Sequence, residues 1–292
     1  MSASAANANV RRPGPVLRLV GAAADAVADF GKLMIDWAVA VGGITLFSLR
    51  VVSWMVTRPP RRETLLPNFY QVGVLSLPVV ALTGTFIGMV LAVQSYVQFR
   101  VMHLETRLGA VINMTLVREL GPVLAATMLA GRVGSAMAAE LGTMRVTEQI
   151  DALSSMGANP IHYLAVPRLL ACVFMIPSLT IMADFMGVAG GYFYSVHILG
   201  IDMHHYFTNS EEYVGSFDIF SGVFKSLFFG IAIALVSCHR GFHCDSGAEG
   251  VGRAATTAFV YSFVIILVLD LALGIFLDAV YNSIWPEGMK MM

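Results

Sequence analysis

Apolar runs separated by short polar stretches dominate the chain. Five of them, roughly residues 72–97, 110–141, 164–198, 218–238 and 256–281, are long enough as helices to cross a hydrocarbon core about 30 Å thick. Ahead of them the pattern differs. Val16, Val20, Ala23, Val27, Phe30, Met34 and Trp37 step by four and three onto one helical face, opposite Arg18, Asp25, Asp29, Lys32 and Asp36. Residues 38–56 are apolar except for Arg50 and only just reach spanning length. Arg11, Arg12, Arg18 and Lys32 precede this stretch, and Arg58, Arg61 and Arg62 follow it. Basic flanks favour the cytoplasmic side, so both of its ends are expected there. The expected fold is therefore an all-α integral membrane protein with five transmembrane helices and an N-terminal amphipathic interfacial elbow over 16–57. Residues 1–15 read as a disordered tail and 58–292 as the five-span domain, and the length of 38–56 leaves a sixth span open.

Loop charge sets the expected orientation. Arg58, Arg61, Arg62, Arg145, Arg168, Arg240 and Arg253 fall on one face, while Asp202, Glu211, Glu212 and Asp218 fall on the other, with Arg100 and Arg107 in its first loop. The N-terminus is expected in the cytoplasm and the C-terminus outside.

One polar interruption looks like the surface of a soluble protein. In RVTEQIDALSSMGANPIHYLAVPR, residues 145–168, Thr147 suits an N-cap, and Glu148 and Asp151 suit the positive end of a helix. Val146, Ile150, Leu153 and Met156 share a stripe, Gly157 suits a left-handed C-cap, and Asn159-Pro160 stops the helix. A helix of two to three turns over about 145–157 is expected. It either tidies a loop or forms a docking knob for a cytosolic partner.

Composition narrows the function. The 292 residues are 57% hydrophobic and 13% charged, with a net charge of −1 that gives no nucleic-acid signature. Cys172, Cys238 and Cys244 form no disulfide framework. No cleaved targeting signal is expected, because Asp25 and Asp29 break the segment after Arg11 and Arg12. Cys238-His239…His243-Cys244 is strung too tightly for a tetrahedral zinc site, so no metal is expected.

Charges within the spans are costly and mark structure or function. Arg118, Glu119, Arg132 and Glu140 interrupt the second span, and Asp184 and Asp270 lie within later ones. Arg118 and Glu119 either lock the bundle or face a cavity. Ala130, Gly134, Ala138 and Gly142 form a small-residue ladder, as do Gly131, Ser135 and Ala139, and Ala183, Gly187 and Gly191 repeat it. Each suits close helix packing, inside the chain or across a dimer seam. Met89, Val93, Tyr96 and Val97 share one face of the first span, a stripe that fits lipid contact, core packing or a cavity wall alike.

The block VRELGPVLAATMLAGRVGSAMAAELGTMRVTEQIDALSSMGANPIHYLAVPR, residues 117–168, resembles the signature region of the MlaE/YrbE permeases, membrane subunits of ABC-type lipid transporters that work with MCE-domain proteins. VGVLSLPVVALTGTFIGMVLAVQSY at 72–96 and GVGRAATTAFV at 250–260 extend the resemblance over about 65–280. It implies a homodimeric permease of the bacterial inner membrane that moves lipid, most commonly phospholipid, to or from a periplasmic MCE-domain carrier and maintains lipid asymmetry. It also implies a cytosolic ATPase that holds ATP and Mg, and a small cytosolic STAS-type subunit. Under it the helix near 145–157 becomes a coupling helix, with Arg145, Glu148, Gln149, Asp151 and Met156 as docking candidates. Met89, Val93, Tyr96, Val97, Arg118 and Glu119 become lipid-cavity candidates. The chain has no G-x-x-x-x-G-K-[ST] phosphate loop and no catalytic constellation, so neither a cofactor nor catalysis is expected in it. The rival reading is an ion-coupled secondary transporter using Glu119, Asp184 and Asp270, although the internal repeats typical of that class are not apparent.

Overall fold

The computed structural model describes residues 15–57, 62–104 and 107–284. All but Pro15 of the expected tail, together with Arg58 and Arg61, lies outside them. Among the described residues the secondary structure is helical, without strands. The elements are α1 (Pro15–Thr57), α2 (Arg62–Val72), α3 (Leu77–Val101), α4 (Leu108–Thr115), α5 (Gly121–Leu129), α6 (Ser135–Val146), α7 (Gln149–Ser155), α8 (Val166–Tyr192), α9 (Met203–Tyr213), α10 (Ser216–Phe242) and α11 (Gly247–Ile284). Turns of π-helix join α4 to α5 (Leu116–Leu120) and α5 to α6 (Ala130–Gly134), and two more flank α8.

Among the described residues, six helical runs are long and apolar enough to cross a membrane, against the five expected. The additional run is Ala38–Thr57. Residues 16–37 and 38–56 form one unbroken helix, because no proline or polar break divides them. Contacts split the chain into residues 1–46 and 47–292. In the first unit Phe30, Met34, Ile35 and Val39 are exposed. In the second, Phe47 and Val51 join a core with Ala126, Leu129, Leu141, Ile176 and Phe229.

Small residues set how closely these helices pack. Methyls on Gly84, Gly88 or Gly190 would strike backbone of the facing helix in the α3–α8 pair, at Ala183, Gly187 and Thr85 respectively. The Ala183–Gly187–Gly191 row is thus an internal seam. In the second span, Gly134 faces Ser237 and Ile233, while Gly142 faces Cys244 and Val251 and Gly131 faces Phe259. These ladders also pack within the chain, against α10, α11 and the loop between them.

The reversals of the chain fix two ends of the bundle. The turn at 102–104 and the 199–215 segment, with α9, share one end, and α7 and the 243–246 loop share the other. At the first end Asp202 caps α9, accepting from the His204 and His205 amides at 2.8 and 3.2 Å. The His205 amide, and then that of His204, hold its carboxyl below the usual carboxylate range.

At the second end α7 forms where the polar block predicts it, but its N-cap differs. Glu148 takes that position at φ 59°, in the left-handed region, without a side-chain cap. The Thr147 hydroxyl donates to the Thr143 carbonyl at 2.8 Å, closing the last turn of α6 rather than opening α7. Gly157, at φ +78°, ends the helix as expected. Its amide donates to Ser154 and that of Ala158 to Leu153, the paired bonds of a Schellman cap. Relieving the left-handed strain with Glu148→Gly should stabilise this turn by up to about 1 kcal/mol. Slower hydrogen exchange of the α7 amides would register that gain, and faster exchange would mean that the Glu148 side chain holds the turn.

Candidate functional site

The α9 end of the bundle holds an ion cluster drawn from three helices. Arg118 and Glu119 stand in the π turn Leu116–Leu120, where an extra residue alters the direction of side chains from regular α spacing. Gly222 lets α10 sit against that turn, since a methyl there would strike the Val117 carbonyl. Asp218 and Lys225 come from α10, and Asp270 and Asp278 from α11.

Lys225 sits at the centre, 1% exposed at its side chain. An ammonium in so apolar a place is tolerated only when paired. Its Nζ donates to Glu119 Oε2 at 2.6 Å and lies 3.2 Å from Asp270 Oδ1, the latter without hydrogen-bond alignment. Arg118 pairs with Asp278, lies 3.8 Å from Asp218 and stands 4.0 Å from Glu119. Two cations thus face four carboxylates in one continuous set. Asp218 departs from expectation: it belongs to the first turn of α10, where it also accepts from the Gly215 amide at 2.9 Å, rather than to the acidic loop. Asp270, a single carboxylate in its apolar run, has Lys225 as its partner. Lys225 was absent from the sequence-based candidates, although a single lysine in the apolar 218–238 run is itself a signal.

Asp184 remains apart. It is buried on α8, its Oδ1 has no hydrogen-bond partner, and it lies against Gly121 just after the π turn. Glu140, another intramembrane charge, pairs with buried Arg168 at 3.0 Å, tying α6 to α8.

The stripe on α3 divides. Tyr96 packs with Ala92, Leu108 and Ile112 in a small core at the α9 end, whereas Met89 is half-buried and Val93 and Val97 are exposed. The structure thus sets Arg118 and Glu119 in one ion cluster and leaves Met89, Val93 and Val97 along the flank of α3.

On α7, Ile150 is buried and Leu153 packs against the main core, anchoring the helix. Arg145 Nη1 donates to Asp151 Oδ1 at 2.6 Å, bracing α7 against the end of α6. Gln149, Asp151 and Met156 face outward, Met156 at 73% exposure. Of the expected apolar stripe, Ile150 and Leu153 point inward while Val146 and Met156 stay exposed.

Residues 65–276 match the family model described as Permease MlaE. The chain belongs to the MlaE permease family. Its curated relatives agree. A probable ABC transporter permease protein of Rickettsia felis is 43% identical over 238 residues, covering 82% of this chain and 92% of that protein. The intermembrane phospholipid transport system permease protein MlaE of Haemophilus influenzae is 35% identical over 253 residues, covering 85% and 95%. The chloroplastic protein trigalactosyldiacylglycerol 1 of Arabidopsis thaliana is 39% identical over 211 residues, covering 72% and 60%. The matched region takes in α3 to α10, α7 included, and most of α11, with every member of the ion cluster but Asp278. The Rickettsia and Haemophilus relatives are named as permease proteins, components of transport systems.

Proposed function

We propose that this chain is the membrane subunit of an ATP-driven transporter that moves phospholipid between the inner membrane and a periplasmic MCE-domain carrier. It works as a homodimer with a cytosolic ATPase, which carries the ATP and Mg, and with a small STAS-type subunit. The α7 end and the N-terminus face the cytoplasm, and the C-terminus faces the periplasm. The observation that carries the reading is the contrast between the two ends of the bundle. One holds a paired ion cluster centred on Lys225, and the other presents a short, braced helix with polar residues outward.

At the α9 end, Arg118 and Lys225 are the cations able to meet a lipid phosphate, exchanging a carboxylate partner for the head group. Met89, Val93, Tyr96 and Val97 line the path of the acyl chains. At the other end, Arg145, Glu148, Gln149, Asp151 and Met156 form the docking face on which the ATPase sits. Nucleotide binding there shifts the population of permease conformations through differential contacts.

The test is a tagged pull-down from native membranes, with proteins and extractable lipid both identified by mass spectrometry. Asp151→Lys is expected to lose the ATPase and retain the folded permease with its phospholipid, because Asp151 is exposed. Recovery of undiminished ATPase with that variant would remove α7 as the docking element.

A second reading, ion-coupled transport, rests on Asp184, whose buried carboxylate has an unpartnered oxygen. Glu119 and Asp270 are engaged with Lys225, so Asp184 alone of that set is available to bind an ion. It requires Asp184→Asn to abolish transport in membranes without nucleotide.

A further inference from the structure

A second cationic site lies nearer the α7 end. Arg132 stands in the other π turn of the same span, Ala130–Gly134, as Arg118 stands in the first. The two arginines are 14 residues apart, about 21 Å along a helix rising 1.5 Å per residue. That is much of the roughly 30 Å hydrocarbon thickness, which puts them towards opposite leaflets. Π turns inside α-helices frequently accompany functional sites.

Arg132 differs from Arg118, the arginine of the other π turn, in its company. Arg118 has carboxylate partners, as do Arg145, Arg168 and Arg253, while Arg240 lies over the Tyr261 ring and Arg107 donates to the Tyr213 hydroxyl. The Arg132 guanidinium donates to a neutral hydroxyl, that of Ser76, and forms no ion pair among the described residues. It lines a cavity of about 280 Å³ with the amides of Asn68 and Gln71 and the apolar Leu75, Ala136 and Met137. Small-molecule sites begin near 300 Å³ and combine apolar walls with a few polar groups. This volume accommodates a head group but not acyl chains. Exposed Leu66, Tyr70, Val74 and Val79 offer an apolar surface beside it on α2, α3 and the turn between them.

We propose that this cavity is a second anion site, in which Arg132 holds the phosphate of a glycerophospholipid drawn from the leaflet at the α7 end. The inference rests on the lipid-permease reading and adds a separate station to it. A guanidinium fork matches two phosphate oxygens, and no carboxylate has to be displaced. Gln71 lines the same cavity, as does Asn68, whose amide already donates to the Thr64 carbonyl at 2.7 Å. The chemistry recognised is a phosphate ester, so free phosphate is the competing source.

The test places a photo-crosslinking residue at Leu75, or separately at Val93, in the full chain within cells whose phospholipids carry radiophosphorus. A labelled adduct at Leu75 is expected. Arg132→Gln should weaken it about tenfold or more, as loss of a charged hydrogen bond implies, with the Val93 adduct unchanged. Arg132→Lys should retain part of the Leu75 signal. Ala136→Phe, which fills the cavity without touching the charge, should remove it. A Leu75 adduct unaffected by Arg132→Gln and Ala136→Phe would overturn the site. In reconstituted vesicles of phosphatidylglycerol, competition by excess inorganic phosphate would reassign it to free phosphate and overturn the lipid assignment. Labelling at Val93 alone would refute this station and leave the permease reading standing, whereas labelling at neither position would count against the permease reading itself.

Discussion

Replacing Lys225 with methionine is expected to cost about 3–5 kcal/mol of stability, the range for removing one partner of a buried ion pair. The ammonium is the shared partner of Glu119 and Asp270, at 2.6 and 3.2 Å. Methionine fills similar space, leaves Asp270 without its cation and leaves Glu119 with Arg118 alone, 4.0 Å away. Thermal unfolding of the purified permease in detergent measures the loss. A combined variant, Lys225→Met with Glu119→Gln and Asp270→Asn, removes every charge of that trio and should recover most of the stability, because neutral groups carry a far smaller desolvation cost. Transport then separates two roles. If the cluster meets a lipid phosphate, the neutral trio stays inactive although stable. If lipid transfer returns with stability, the ions lock the helices and do nothing more.

The second large effect belongs to the seam between α3 and α8. Gly88→Val is expected to destabilise by about 3 kcal/mol or more, at or above the upper end of ordinary overpacking. The first added carbon overlaps the Gly187 carbonyl, and the Gly191 amide lies only 2.9 Å away. Both are backbone groups held in a helix and cannot swing aside as a side-chain tip does. Gly252→Ala is the matching control, with nothing within 4 Å of the added carbon. It should be neutral or gain up to about 1 kcal/mol through helix propensity. Comparable folded yields and unfolding temperatures for Gly88→Val and the native chain would show that α3 and α8 do not depend on this contact.

Much of the architecture was written in the apolar runs, because a hydrocarbon solvent demands long unbroken helices and leaves few other patterns. The polar α7 segment stood out for the converse reason, and Gly157 marked its end through the backbone freedom that a left-handed cap requires. Other features were hidden. Residues 38–57 qualify as a span by length and apolarity, yet charge flanks alone argued for an elbow. Thr147 had the right chemistry for an N-cap, but its hydroxyl found the Thr143 carbonyl one turn back. The π turns leave no trace in a pattern of 3.6-residue repeats, so the directions of Arg118 and Arg132 could not be read from their spacing. The ion cluster was the largest gap. Lys225 and Glu119 are 106 residues apart, and only folding brings them together. A lone lysine in an apolar span announces that an acid must lie opposite, but not which one.

The fastening of α7 has a mechanical consequence. Its first turn is strapped to α6 by Arg145 and Asp151, and its underside is keyed into the core by Ile150. Its far end is clamped by the Schellman bonds, and Asn159 then accepts the Ile161 amide at the start of the next helix. Held at so many points, the segment has little compliance of its own. A load applied to its outer face would reach the end of α6 through the Arg145–Asp151 pair, as through a stiff crank, rather than bend the segment itself.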